Sequence, residues 1–263
     1  MIAVIRAEWL KLRTTSIPWV LAGIALVLTG LLMLLYFVNH GTGGPDHQGN
    51  FGLPNPAVPH TAQQLRDLLG VGVNVYVFAL LLGVLIITVE FRHKTVTTSF
   101  LVTPRRPLFV AGKLLFAAIS GAALALVVLT GTVVGGGIAL SAKGGSFGAL
   151  AAQIGAVAPG MLLVYALFAV VGVGLGSLLT NQVAAIILCL VWFLILENII
   201  GGIWTGTARW LPGGAAQAAA NVSAGGSRQI GLFSWWQGSL LILLYGLAFA
   251  ALGSLVLTKR DIT

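Results

Sequence analysis

The sequence predicts an all-α, polytopic membrane protein with six transmembrane helices. Of its 263 residues, 58% are hydrophobic and 8% are charged, whereas soluble domains carry about 25% charged residues. The mean hydropathy is +1.01. The apolar residues fall into six runs, each near the ~20 residues that a ~30 Å hydrocarbon core requires. So few charged side chains cannot cover a water-facing surface, and we expect a multi-pass protein of the plasma membrane.

The six runs divide a single membrane domain, residues 1–263, into spans and connecting segments. The predicted transmembrane helices are 18–38, 68–89, 114–136, 154–179, 183–202 and 239–257. Glycines recur within the third and fourth runs, where they permit close approach between helices in lipid. Packing within one subunit explains Gly172, Gly174 and Gly176 at least as well as a dimer interface does.

Lys and Arg residues are distributed unevenly between the two predicted sides of the membrane. One side holds ten of them: Arg6, Lys11, Arg13, Arg92, Lys94, Arg105, Arg106, Lys113, Lys259 and Arg260. The other side holds four: Arg66, Lys143, Arg209 and Arg228. The richer side is expected to be cytoplasmic, so both termini are predicted to lie inside. The net charge of +8 therefore indicates topology and contact with membrane lipids rather than nucleic-acid binding.

Residues 1–16 precede the first span and predict a short amphipathic helix in the cytoplasmic interface. Ile2, Ile5, Trp9 and Leu12 share one helical face, while Glu8 and Lys11 lie opposite and Arg13 flanks the apolar face. A simple flanking anchor for the first span is the alternative interpretation. The apolar run that follows is long enough to span, and we expect no cleavable signal.

Residues 90–107, EFRHKTVTTSFLVTPRRP, form a polar and basic segment between the second and third apolar runs. The segment begins with an acid, contains aromatic and aliphatic side chains, and ends in two arginines bounded by Pro104 and Pro107. This pattern predicts a short interfacial helix presented to another protein. A solvated basic loop that only maintains topology is the alternative.

Three stretches resemble permease subunits of the type-2 ABC exporter family: AEWLKLRTT, the 90–107 segment followed by AGKLL, and the closing LTKRDIT. Members of that family commonly carry E-x-x-K-L-R before the first span. After the second span they carry E-[YF]-R-x-x-T and then a T-P-R-R-type segment. The matching positions are Glu8, Lys11, Leu12, Arg13, Glu90, Phe91, Arg92, Thr95, Thr103, Pro104, Arg105, Arg106 and Lys113.

The resemblance implies a coupling helix at about residues 90–102 that docks into a groove on an ABC ATPase subunit. The residues expected to serve this coupling are Glu90, Phe91, Arg92, Thr95, Val96, Phe100, Arg105 and Arg106. Apolar side chains such as Phe91, Val96 and Phe100 can anchor such a contact, and charges can fix its register.

The resemblance further implies a permease that is not itself an enzyme and binds no cofactor, with ATP and Mg held by the partner ATPase. A second permease subunit, identical or different, would complete the transporter. The substrate expected from the family is amphipathic: a drug, an antimicrobial peptide or a lipid-linked molecule. The alternative is a stand-alone membrane protein, either an ion-coupled secondary transporter or a non-transporting sensor or assembly factor.

The sequence itself contains no catalytic motif. No G-x-x-x-x-G-K-[ST] pattern occurs, because Gly112 and Lys113 are followed by Leu114, and no H-E-x-x-H pattern occurs. The histidines of the first outer loop are spaced irregularly, so we expect no metal site.

Glu197 is the one acid well within an apolar run, and such groups are functional by default. It is a candidate for gating or the substrate path. The alternatives are that it reaches the outer headgroups or forms a cap with Asn198.

Overall fold

A computed structural model describes residues 2–39, 61–92, 106–179, 181–204, 206–222 and 233–259. Within these ranges the regular secondary structure is entirely helical. The α-helices are α1 (Ile2–Thr14), α2 (Ile17–Asn39), α3 (Ala62–Gly70), α4 (Val77–Arg92), α5 (Arg106–Ala142), α6 (Phe147–Ala151), α7 (Ile154–Leu178), α8 (Gln182–Val191), α9 (Glu197–Ile203), α10 (Pro212–Ala219) and α11 (Trp235–Lys259). This purely helical content of the described residues confirms the predicted all-α class.

Six helical segments in the described part of the chain are long and apolar enough to cross a membrane. They are span 1 (Ile17–Phe37), span 2 (Ala62–Glu90), span 3 (Ala111–Ala142), span 4 (Ile154–Leu178), span 5 (Gln182–Ile203) and span 6 (Trp235–Gly253). The predicted number of transmembrane helices is therefore confirmed.

Span 4 lies at the centre of the helical bundle and packs against spans 2, 3 and 6. Its glycines make this packing possible. A Cβ atom at Gly172 would overlap the carbonyl oxygen of Leu80 on span 2, and one at Gly174 would collide with Phe249 on span 6. Gly83 on span 2 faces the carbonyl oxygen of Ala169 in the same way. Small residues at helix crossings let backbones approach closely in lipid, and here the close contacts lie within one subunit.

Span 2 is a broken helix, which the sequence did not predict. The α-helical turns of α3 end at Gly70, a 3₁₀ stretch covers Val71–Val75, and α4 begins at Val77. The hydroxyl of Tyr165 on span 4 donates a 2.6 Å hydrogen bond to the carbonyl oxygen of Gly72. Such a side-chain donor satisfies backbone that irregular helix geometry exposes within apolar surroundings. The break lies inside the protein, since 83% of the most apolar 18 residues of span 2 are buried.

Span 5 is peripheral and irregular. Only 17% of its most apolar 18 residues are buried. Its helix contains a π-helical turn at Trp192–Leu196, between α8 and α9. π-Helical turns insert one extra residue per turn and frequently occur at functional sites. This turn directly precedes Glu197.

The helix of span 3 is longer than the predicted 114–136, because α5 extends from Arg106 to Ala142. The prediction ended at Gly136, but the glycine cluster Gly135–Gly137 is accommodated within the helix. At its far end, Lys143 donates a 2.8 Å hydrogen bond to the carbonyl oxygen of Phe37. The ammonium group lies 5.3 Å from the Phe37 ring centroid.

Candidate functional site

Four charged side chains from three helices meet at one end of the bundle; we call them the charge cluster. Glu8 and Lys11 come from α1, Glu90 from the last turn of α4, and Lys113 from the second turn of α5. Glu8 and Lys11 are three residues apart, so they lie on the same face of α1. Glu90 and Lys113 flank the segment that joins spans 2 and 3.

The four groups form a closed ring of alternating charge. The Lys11 ammonium lies 2.9 Å from Glu8 Oε1 and 2.9 Å from Glu90 Oε1. The Lys113 ammonium lies 3.1 Å from Glu8 Oε1 and 3.0 Å from Glu90 Oε1. Lys113 also donates to the carbonyl oxygen of Ile86, one turn before Glu90, at 3.1 Å. Two anions and two cations balance formally, which is the condition under which ionised groups tolerate burial.

Burial differs across the ring. The side chains of Lys113, Glu90 and Glu8 are 1%, 3% and 7% exposed, whereas that of Lys11 is 51% exposed. Burial opposes ionisation of Glu8, but Lys113 and Lys11 outweigh it and hold the pKa of the Glu8 carboxyl below its ordinary value. Burial likewise opposes the charge on Lys11, yet Glu90 and Glu8 raise the pKa of its ammonium above the ordinary value. Both groups therefore stay charged throughout the neutral range.

The structure places the residues of the N-terminal helix on different sides. The polar face, with Glu8, packs onto the protein, whereas Trp9 is 57% exposed and points away from it. Arg13 is also exposed. Leu12 of the predicted apolar face is instead half-buried and lines a cavity together with Glu8. The exposed Trp9 is compatible with a helix lying in the membrane interface, which remains a prediction.

The residues predicted for ATPase coupling have separate positions. Glu90 is buried in the charge cluster, and Arg92 is exposed at the end of α4. Thr95, Val96, Phe100 and Arg105 lie outside the described residues, as do the side chains of Phe91 and Arg106. Glu90 therefore faces the N-terminal helix and span 3, while Arg92 at the same helix end is exposed.

Glu197 occupies the half of the bundle away from the charge cluster. Its Oε1 accepts a short hydrogen bond from the backbone N–H of Gly213, in the first turn of α10. Its Oε2 lies 3.5 Å from the hydroxyl of Tyr76, which donates to it. A carboxylate at a helix N-terminus is favoured by the exposed N–H groups and the helix dipole. Asn198 instead donates to its own helix, at the carbonyl oxygen of Leu194.

Aromatic rings connect the Glu197 contact to the bundle centre. The Tyr76 ring lies 4.2 Å from that of Phe168 on span 4 and 5.7 Å from that of Phe193 on span 5, measured between centroids. Phe193 belongs to the π-helical turn and lines an apolar cavity of about 430 Å³ between spans 4, 5 and 6. A movement of the π-helical turn would therefore displace Phe193 against the Tyr76 ring and shift Glu197, which directly follows the turn.

Sequence reasoning did not assign Lys113, Tyr76 or Gly213 to a functional site. For Lys113 a signal was present, because a lone Lys among apolar residues needs an anionic partner, and Glu8, Glu90 and Asp261 were the acids predicted on its side. A single Tyr inside the second apolar run was a weaker signal. Nothing in the sequence pointed to Gly213, whose role depends on α10 folding back toward span 5.

The described residues contain no candidate metal site, because no three His, Cys, Asp or Glu side chains come together there. His40, Asp46, His47 and His60 of the first outer loop, and His93, lie outside the described residues. Cys189, in contrast, is described and is buried within α8 with a free thiol.

Residues 4–196 match the family described as ABC-2 family transporter protein. The matched range includes all four members of the charge cluster and ends one residue before Glu197. No curated protein matches the chain.

Proposed function

The chain belongs to the ABC-2 transporter family as a multi-pass permease component, and from this premise we propose that it exports an amphipathic substrate with energy from a separate ABC ATPase. Two permease subunits, identical or different, would enclose the path, each docked on an ATPase that holds ATP and Mg. The chain supplies movement rather than chemistry.

The charge cluster is the observation that carries this proposal. Glu90 and Lys113 lie at the two ends of the segment proposed to contact the ATPase. Lys113 pairs directly with Glu8 of the N-terminal helix, and Glu90 is linked to that helix through its ion pair with Lys11. A displacement of residues 90–107 would therefore move the N-terminal helix and the ends of spans 2 and 3 together. Interhelical ion pairs with little solvent exposure resist being separated.

The half of the bundle away from the charge cluster contains contacts that could change when span 2 moves. Span 2 is anchored at the charge cluster and reaches Tyr76 about 21 Å away, taking 14 residues at 1.5 Å each. Tyr76 contacts Glu197 and Phe193. Span 2 thus connects the proposed ATPase side to the outer half, where we propose that release of the Glu197 contact accompanies opening.

Copurification tests the ATPase partner. The tagged chain, extracted from its native host in mild detergent, should carry a stoichiometric ATPase subunit. Arg92→Glu should abolish this association, because it reverses the exposed charge at the end of α4, while membrane insertion stays intact. Arg209→Glu, a reversal at an exposed arginine predicted to lie outside, is the matched control. Copurification that survives Arg92→Glu would contradict docking at this segment.

A further inference from the structure

A cavity of about 260 Å³ lies beside the charge cluster, between α1, the start of span 1 and the end of span 2. Apolar side chains of the spanning helices line one part of it: Ile17, Pro18, Leu82, Leu85, Ile86 and Val89. Glu8, Lys11 and Glu90 line the other part. The cavity is therefore apolar along the spanning helices and charged at their ends, where hydrocarbon gives way to headgroups.

Glu90 lines this cavity and carries an unsatisfied hydrogen-bond acceptor. Its Oε1 binds both ammonium groups of the cluster. Its Oε2 is buried and has no hydrogen-bond partner among the described residues. A buried carboxylate oxygen without a donor carries a desolvation cost, and such an atom in a native protein calls for an explanation. A hydrogen-bond donor from a bound molecule would remove that cost.

Lys11 supplies the complementary charge. Its ammonium belongs to the ring, yet its side chain is 51% exposed, so solvent or a ligand can reach it. A phosphate suits an exposed ammonium group. Since the charge cluster is formally neutral, a zwitterionic headgroup with a phosphate for Lys11 and an N–H donor for Glu90 leaves the balance unchanged.

The size of the cavity limits what it can enclose. Sites that bury drug-sized ligands measure about 300–1,000 Å³, so a cavity of about 260 Å³ holds part of an amphiphile rather than a whole drug. One segment of an acyl chain fits this limit, with the headgroup at the charged end and the rest of the lipid in the bilayer.

We propose that this cavity binds a phospholipid whose headgroup carries a primary ammonium, with the ammonium donating to Glu90 Oε2 and the phosphate facing Lys11. The lipid would sit between the N-terminal helix and the ends of spans 1 and 2. Binding there would stabilise the charge cluster by completing its hydrogen bonds. The inference is independent of the ATPase partner, since the isolated chain suffices to measure it.

Native mass spectrometry of the purified chain tests the headgroup directly. Phosphatidylethanolamine, phosphatidylcholine and phosphatidylglycerol with identical acyl chains are added separately. Phosphatidylethanolamine should be retained about tenfold better than phosphatidylcholine, which has the same charge but no N–H donor. Equal retention of these two lipids, or stronger retention of phosphatidylglycerol, would overturn the assignment.

Two variants locate the bound lipid. Ile17→Trp fills the apolar part of the cavity and should abolish the preference for phosphatidylethanolamine. Val27→Trp, on the same helix but 74% exposed and outside the cavity, should retain it. Glu90→Gln should lower the ratio of phosphatidylethanolamine to phosphatidylcholine toward one. A preference unchanged by Ile17→Trp would overturn the location.

A photo-crosslinker at position 15, which lines the cavity, distinguishes the possible occupants. A lipid adduct supports the inference. An adduct with residues 93–105, a second copy of the chain or the ATPase would overturn it, since a protein segment would then occupy the cavity.

Discussion

The two ends of the bundle hold their buried acids in different ways. At the charge cluster, Glu8 and Glu90 share two lysines, and four ion-pair contacts of 2.9–3.1 Å link three helices. In the other half, Glu197 is held by a backbone N–H and a tyrosine hydroxyl, with no cation paired to it in the described part of the chain.

We propose that this difference reflects separate mechanical roles. A charge-balanced ring of buried ions is lost only at considerable cost, because removal of one member leaves others uncompensated. Neutral donors hold a carboxylate by about 1.5–3 kcal/mol per hydrogen bond, and its release from them separates no ion pair. The charge cluster is thus suited to transmit movement rigidly, and the Glu197 contact to open and close.

Lys113→Met should have the largest effect on stability. The substitution leaves Glu8 and Glu90 buried with a single shared cation, and we expect the free energy of unfolding to fall by about 3–5 kcal/mol. Lys11→Met should cost about 1 kcal/mol or less, because Lys11 is half exposed and solvent screens its pairs. Thermal unfolding in detergent compares the two variants. Equal losses would mean that the ring is not the buried unit described above.

Glu197→Gln should separate function from stability. The amide oxygen of Gln still accepts from Gly213, so we expect a loss of about 1 kcal/mol from weaker, uncharged hydrogen bonding, together with an altered export rate. Export is measured in proteoliposomes with the ATPase partner. Asn198→Ala is the control, since among the described residues the side chain of Asn198 donates within its own helix, to Leu194. Unchanged export in Glu197→Gln would assign Glu197 a purely structural role.

Tyr76→Phe should destabilise less, by about 0.5 kcal/mol, because its hydroxyl lies 3.5 Å from Glu197, at the limit of a hydrogen bond. The ring contacts with Phe168 and Phe193 are preserved. Tyr165→Phe should cost about 1–2 kcal/mol, since it leaves the buried Gly72 carbonyl without its 2.6 Å donor. Unfolding midpoints in denaturant give the order, and a larger effect at Tyr76 would indicate that its contact with Glu197 is not a weak one.

The smallest effect concerns pH. Because the pKa of Glu8 is lowered on folding, its contribution to stability is present above the unfolded value of about 4.3 and is lost as the pH falls through the folded value. Because that of Lys11 is raised, its contribution is present below about 10.4 and is lost as the pH rises through the folded value. The stability difference between wild type and Glu8→Gln should therefore stay constant from about pH 6 to 9. A change within that window would place a titrating group in the ring.

The sequence by itself determined the membrane class, the six spans and the distribution of cationic residues along the chain. These features follow from local properties, since the hydrophobic thickness of a bilayer sets the length of each apolar run. It also marked Glu197, because a charged residue within an apolar run is costly, while the motif resemblance marked Glu8, Lys11 and Glu90.

The tertiary structure alone decided which of these groups meet. Glu8 and Glu90 are 82 positions apart in the sequence, and only the packing of α1 against span 3 and of span 2 beside it brings both acids to Lys113. The capping of α10 by Glu197 depends in the same way on a chain reversal that no local pattern encodes. Hydropathy identifies which runs enter the membrane, whereas the partners in the charge cluster are fixed by how α1 and spans 2 and 3 pack together.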